Sequence, residues 1–293
     1  MPTSPRHGHV ARSEPRRAAV LGSPIEHSLS PVLHGAAYAA LGLHDWTYER
    51  VEADADRLVE FVAGLGPEWV GLSVTMPGKR AALRVASEAS ERAVAVGVAN
   101  TLVHQADGSW RADSTDVDGV VGALRCAGGF TTGHSGLILG AGGTAAATLA
   151  AFAELGIGEA TLAVREPARA RDAAETAERV GVRVRVERLD RVSLADAAAA
   201  ADVVVSTLPA GALDARAAEL AKAACVLDVV YHPWPTPLAT AVTATGGRIA
   251  TGLDMLLHQA FGQVEQFTGR TAPREAMREA LAAATGGEVP LPL

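Results

Sequence analysis

Leu137-Ile138-Leu139-Gly140-Ala141-Gly142-Gly143-Thr144-Ala145 runs an apolar segment straight into a GxGxxA turn, and the Ala-rich stretch from Ala146 to Leu155 follows it. The apolar run predicts a buried strand and the residues after the turn a helix, which is the context in which a glycine turn cradles the pyrophosphate of a dinucleotide. Gly140 permits the tight turn, Gly142 lets the backbone approach a pyrophosphate, and Ala145 is small enough for helix to pack on sheet. Ala141, Gly143 and Thr144 complete the cradle, where the helix N-terminus supplies N–H donors.

Outward from this turn the chain alternates strand and helix in both directions. Downstream, strands are expected at Leu137–Leu139, Thr161–Val164, Val182–Val186, Val203–Val205 and Cys225–Val229, with Ala-rich helices between them. Upstream, Ala18–Leu21 reads as a strand stopping at Gly22-Ser23-Pro24, and Ser30 with Pro31 opens a helix, Ser30 as cap and Pro31 as first residue. Thr47–Val51 and Trp69–Val74 read as further strands, Ala55–Leu65 and Lys79–Val85 as helices. Asn100–Val103 and Trp110–Ala112 flank the turn dipeptide Asp107-Gly108 and predict a hairpin. Two more helices, Leu253–Thr268 and Arg274–Ala284, close the chain. Alternation of this kind means an α/β fold with helices covering mainly parallel sheets.

At 293 residues the chain is long enough for two domains. Its 26 Lys and Arg against 33 Asp and Glu give a net charge of -7, which excludes a protein built chiefly to neutralise nucleic-acid phosphates. Cys126 and Cys225 stand far apart with no His cluster at ligand spacing, so the sequence suggests neither a metal site nor a disulfide framework. No apolar run reaches the roughly 18 residues that span a bilayer, and the basic opening stretch lacks the apolar run of a signal peptide. The expected setting is cytoplasmic, with no membrane and no nucleic-acid partner, as a monomer or homodimer.

Cofactor choice depends on the residues after the second strand of the nucleotide unit, where a carboxylate takes a ribose hydroxyl and an arginine a 2′-phosphate. Arg165 and Arg169 can form a guanidinium clamp for a phosphate, which favours NADP; Glu166 pulls towards NAD. The polar loops of the first half then hold the candidate reactive groups. Gly22-Ser-Pro-Ile-Glu-His-Ser28-Leu-Ser30-Pro31 offers two hydroxyls before a helix, as caps or as polyol ligands. Ser73-Val-Thr75-Met-Pro77-Gly-Lys79 puts a hydroxyl and an amine at the end of a strand, where α/β sheets bind ligands. Asp116 follows the hairpin at a helix start, as a cap or as a functional carboxylate.

Together these segments, with Val98–Thr101 (VANT), Ser114–Gly119 (STDVDG), the GAGGT turn, the SLP-like and DVVYHP-like segments and Gly252–Gln259 (GLDMLLHQ), resemble the shikimate dehydrogenase family from about Ala18 to Ala284. The resemblance implies reduction of 3-dehydroshikimate to shikimate with NADPH, on the way to chorismate and the aromatic amino acids. It implies a substrate-binding domain of residues 16–115 plus 253–288 and a Rossmann-type, doubly wound NADP-binding domain of residues 116–252, after a disordered tail of residues 1–15. Ser28, Ser30, Thr75, Asn100, Tyr231 and Gln259 are then expected to bind substrate, and Lys79 and Asp116 to form the catalytic pair. Ser206, Gly252 and Met255 join the glycine turn, Arg165 and Arg169 as cofactor contacts. Hydride delivery to a ketone leaves an alkoxide that must be protonated, which fits a positioned ammonium and its carboxylate. The usual Asn of the family is replaced at Gly35, Ser73, Ser114 and Ser206, and its Asn-Arg-Thr by Val164-Arg165-Glu166. Those departures leave two alternatives: quinate or aminoshikimate oxidation with NAD, and a nicotinamide-binding sensor without turnover.

Overall fold

The computed structural model describes residues 15–293, so the expected tail lies outside the described residues apart from Pro15. Two six-stranded sheets form the frame. The first contains β1 (Arg16–Gly22), β2 (Trp46–Glu52), β3 (Trp69–Val74), β4 (Glu88–Ala89), β5 (Thr101–His104) and β6 (Trp110–Asp113), in the order β2-β1-β3-β5-β6-β4. Strands β2, β1 and β3 are parallel, and β5 and β6 run antiparallel as the predicted hairpin. Its helices are α1 (Ser30–Ala40), α2 (Ala55–Ala63), α3 (Lys79–Val85) and α4 (Glu91–Val96), and α5 (Asp116–Cys126) leads to the second half.

The second sheet contains β7 (Ser135–Leu139), β8 (Glu159–Val164), β9 (Arg183–Arg188), β10 (Val203–Ser206), β11 (Cys225–Asp228) and β12 (Arg248–Thr251), all parallel. Their order, β12-β11-β10-β7-β8-β9, reverses beside β7 and opens a crevice at that strand's C-terminal end, the doubly wound arrangement. Helices α6 (Gly143–Glu154), α7 (Arg171–Val180), α8 (Leu194–Ala200), α9 (Ala217–Leu220) and α10 (Pro237–Ala244) make the crossovers, before α11 (Gly252–Thr268) and α12 (Arg274–Ala284). The small residues of α6 explain its close seat: Ala145, Ala147 and Ala151 are fully buried, and the Phe152 ring fills the space that a side chain at Gly136 would take.

Helix α11 ties the halves together. Leu253, Leu257, Phe261 and Val264 share one apolar cluster with Leu33 and Tyr38 of α1 and Met277 and Leu281 of α12. On another side α11 packs along α5, where Gly119 and Gly122 let Met255 and His258 approach the backbone. A capping box starts α11: Thr251 Oγ1 accepts from the Asp254 N–H at 3.2 Å, and the Asp254 carboxylate accepts from the Thr251 N–H at 2.8 Å. Thr251→Ala is expected to cost about 1 kcal/mol in denaturant unfolding, with an unchanged slope; an unchanged midpoint would deny the cap its role.

Several local features differ from the sequence expectation. Ser30 is the first residue of α1 and makes no capping bond; the cap position belongs to Leu29, and Ser28 Oγ takes the Ser30 N–H at 3.4 Å. Arg169, which the sequence places on the helix after the second strand of the nucleotide unit, lies instead in a 3₁₀ turn, Pro167–Ala170, ahead of α7, because Pro167 starts a tight turn first. The short elements β4, α4 and β12 were not foreseen. No helix among the described residues is long and apolar enough to cross a membrane.

Candidate active site

A cavity of about 330 Å³ opens between the C-terminal ends of the first sheet's strands and the crevice of the second. Loop geometry explains its walls. The Gly22 backbone comes against Thr75, which a side chain at Gly22 would displace, and the Thr75 N–H donates to the Leu21 carbonyl at 2.8 Å. The loop with Ser28 is held by Arg50, whose guanidinium donates to the Ser28 carbonyl at 2.6 and 2.9 Å.

At the centre, the Lys79 ammonium at the start of α3 forms an ion pair with Asp116 Oδ2 at the start of α5. Both are largely shielded, with side-chain exposures of 17% and 7%. Asp116 is therefore not a helix cap; its other oxygen accepts from Asn100 Nδ2 at 2.9 Å. The orientation of the Asn100 amide is fixed because its Oδ1 accepts from the Thr115 backbone N–H at 2.8 Å. The same Nδ2 lies 3.2 Å from Gln259 Oε1, so Asn100 braces Asp116 and Gln259 together. Ser28, Ser30, Thr75 and Tyr231 line the same cavity, as do Thr144 of the glycine turn, Gly252 and Met255.

The structure thus brings together all six expected substrate ligands, the pair Lys79 and Asp116, and three of the expected cofactor contacts. Gly140 has φ +110°, which only glycine adopts readily, and a side chain there would meet Thr207. Gly142 caps α6 without a side-chain bond and faces open space, so the first-turn N–H groups around Gly143, Thr144 and Ala145 are free for an anion. Residues of this kind fit a dinucleotide pyrophosphate. Ala141 is half-buried in the turn, and Arg165, Glu166 and Arg169 are exposed at the end of β8. Ser206 is set apart: it is buried at the end of β10 beside a small separate cavity with Leu208 and Thr236.

Residues 20–102 match the shikimate dehydrogenase substrate binding domain, and residues 252–282 match the shikimate 5'-dehydrogenase C-terminal domain. A shikimate dehydrogenase (NADP(+)) from Caulobacter vibrioides is 39% identical over 276 residues, covering 92% of this chain and 95% of that one. The chain belongs to the shikimate dehydrogenase family. The crystal structure of Mycobacterium tuberculosis shikimate dehydrogenase superposes with a TM-score of 0.86 at 56% identity, over 92% of this chain and 100% of that one. A second family member, shikimate 5-dehydrogenase from Thermus thermophilus in complex with NADP(H) and shikimate, has a TM-score of 0.78 at 32% identity, over 92% and 99% of the two chains.

Of the four positions where the family's usual Asn is missing, Gly35 is exposed on α1 and Ser206 lies apart from the cavity, as described. Ser114 is buried with its hydroxyl unpartnered, and Asp116 nonetheless keeps its bonds to Lys79 and Asn100. Ser73 lines the cavity together with Gln263, which the sequence expectation missed. The available signal was spacing: Gln259 and Gln263 are four apart and so share one face of α11.

Behind Ser73 lies His34, fully buried and stacked on the Tyr48 ring with centroids 4.0 Å apart. Burial drives its pKa down to about 3, against a partly offsetting hydrogen bond to Gln263. Above the ordinary value of about 6.5 the ring is neutral in folded and unfolded chains alike. Below it, the unfolded chain takes up a proton that the folded chain refuses, so this contribution to stability declines from pH 6.5 towards pH 3. Between pH 7 and pH 5 the loss is expected to be about 2 kcal/mol. Denaturant unfolding at both pH values, in wild type and in His34→Gln, checks it; equal pH slopes in the two proteins would contradict it.

Proposed function

We propose that the chain catalyses the reversible oxidation of shikimate to 3-dehydroshikimate with NADP, and that Lys79 and Asp116 form the proton-handling pair. The observation that carries this is the Lys79–Asp116 ion pair inside a cavity whose opposite wall is made by Thr144, Gly252 and Met255. The family relatives named for NADP(+) and bound to NADP(H) and shikimate support the same substrate and cofactor.

The bound nicotinamide supplies or accepts the hydride. Gly140, Ala141, Gly142, Gly143, Thr144 and Ala145 hold the dinucleotide by its pyrophosphate, with Arg165 and Arg169 at its adenosine end and Ser206 on its flank. Gly252 and Met255 shape the nicotinamide side. Gly252 is required there because a side chain would run into the Val229 carbonyl. Ser28, Ser30, Thr75, Asn100, Tyr231 and Gln259 fix the ring and carboxylate of the substrate. In the reduction, Lys79 stabilises the developing alkoxide and delivers the proton, and Asp116 holds the ammonium in place while taking a neighbouring hydroxyl. The two domains, residues 16–115 with 253–288 and residues 116–252, close on the ligands to exclude water. On this reading the enzyme works in the cytoplasm as a monomer or homodimer.

Initial rates of reduced-nicotinamide formation, crossing shikimate and quinate with NADP and NAD, test the proposal. Shikimate with NADP is expected to be the best pair. Nucleotide binding without turnover of either acid would instead assign the chain as a sensor.

A further inference from the structure

The inner wall of the cavity carries a second polar network that the catalytic pair does not use. Gln263 is 1% exposed, and its Nε2 donates to the backbone carbonyl of Asn100 at 3.2 Å and to Thr101 Oγ1 at 3.1 Å. A carbonyl can only accept, which fixes the nitrogen end of the amide. Gln263 Oε1 is then an acceptor, so Ser73 at 2.8 Å commits its single proton to it, and His34 Nε2 at 3.3 Å also donates. The Ser73 oxygen in turn accepts from the Tyr48 hydroxyl at 2.6 Å. A serine hydroxyl has one proton and two lone pairs. Two of the three are spent inside the wall, and the remaining lone pair belongs to a residue that lines the cavity.

The neighbours enforce this order. Burial raises the Tyr48 pKa beyond its ordinary value, so the phenol keeps the proton it donates. Burial keeps His34 neutral with one ring N–H, and Nδ1 has no partner, as expected when that proton sits on Nε2. Among the described residues, no charged side chain bonds Ser73, Gln263, Tyr48 or His34 directly.

We propose that Gln263 locks Ser73 as a hydrogen-bond acceptor, with Tyr48 filling its second site, so that this wall selects a ring hydroxyl and disfavours a group that can only accept. The inference rests on the polyol-oxidising reading of the cavity. Ser73 is the contact with substrate; Gln263 and Tyr48 are positioning residues. Because Gln263 also holds the Asn100 carbonyl, one side chain sets the polarity of this wall and the seat of the residue bracing Asp116.

Two measurements test the lock. The first is calorimetric affinity for shikimate and for its analogues in which either non-reacting ring hydroxyl is replaced by fluorine, which accepts but does not donate. One analogue is expected to bind wild type about tenfold more weakly than shikimate. In Gln263→Met the Ser73 proton is free to turn towards the fluorine, and the gap is expected to shrink to about twofold. In Ser73→Ala, shikimate itself is expected to weaken about tenfold and that analogue hardly at all. A merely structural role for Gln263 would weaken all ligands together and leave the gap intact, which would overturn the proposal, as would two analogues binding as well as shikimate.

The second measurement is a neutron structure of the unliganded wild type, which needs neither a variant nor turnover. Deuterium on the Tyr48 oxygen and on Ser73 directed at Gln263 is expected; a Ser73 deuterium directed into the cavity would overturn the lock. Failure of shikimate to bind or to turn over would overturn the activity, and the neutron map would still decide the proton order.

Discussion

Lys79→Met is expected to lower kcat for shikimate oxidation about a thousandfold, with the nucleotide Kd changed by no more than about twofold. Among the described residues lining the cavity the ammonium is the one Lys or Arg group, and it sits largely out of water, where its field and its proton count for most. Methionine keeps the length and packing of the side chain and removes both. Asp116→Asn acts on the same unit: it withdraws the counter-charge from a shielded ammonium and loses the carboxylate that Asn100 braces. A loss of about a hundredfold is expected, together with a lower denaturation midpoint. Since the two groups work as one, the double variant should be no worse than Lys79→Met alone to within about threefold. Steady-state kinetics with parallel nucleotide titration decides it. Retention of more than about a tenth of wild-type kcat in Lys79→Met would remove the lysine from the chemistry.

Arg165→Ala with Arg169→Ala is expected to weaken NADP about a hundredfold and NAD by no more than about threefold. Both arginines stand exposed at the end of β8, beside the position where the adenosine ribose is expected, and on the proposed reading their guanidinium groups take the 2′-phosphate that only NADP carries. Glu166 is exposed between them, near Arg188 at the end of neighbouring β9. Arg188 is itself bidentate to Asp190, at 2.9 and 2.8 Å. As the arginines are solvated, the NADP advantage should shrink at high salt. Calorimetric titration of both nucleotides into wild type and variant reads the ratio. Equal losses for the two nucleotides would refute the clamp, and a loss of NAD affinity in Glu166→Ala that spares NADP would make the carboxylate the ribose ligand.

The glycine turn and its flanking strand and helix were legible because each constraint there is local: a positive φ at Gly140, an open face at Gly142 and a close helix seat at Ala145. The Lys79–Asp116 ion pair was legible only through the ordered motifs, since 37 positions separate the two residues and no local rule joins a strand-end amine to a helix-start carboxylate. What escaped was short or depended on distant packing. Strand β12 has four residues and passes directly into the capping box of α11, so its apolar signal is too brief for a period to emerge. Strand β4 has two residues, and α4 is a six-residue helix announced only by Ser90 at its cap. Ser30 read as a cap because Ser before Pro favours one; in the fold Ser28 receives the N–H instead and Ser30 is buried against the cavity. Gln263 looked like one more polar residue on a long helix until Ser73 of β3, His34 of α1 and Asn100 from the turn before β5 were brought around it.

The apolar cluster that α1 shares with α11 and α12 also sets an order for the nascent chain. Leu33 and Tyr38 emerge from the ribosome more than 200 residues before Leu257, Phe261 and Leu281, against which they are buried. The doubly wound sheet, complete at Thr251, needs nothing beyond that point to finish its own strand order. The half translated first therefore has to wait with one flank open while the half translated second closes around its own strands, and release of the last helices from the exit tunnel is the event that completes the older domain.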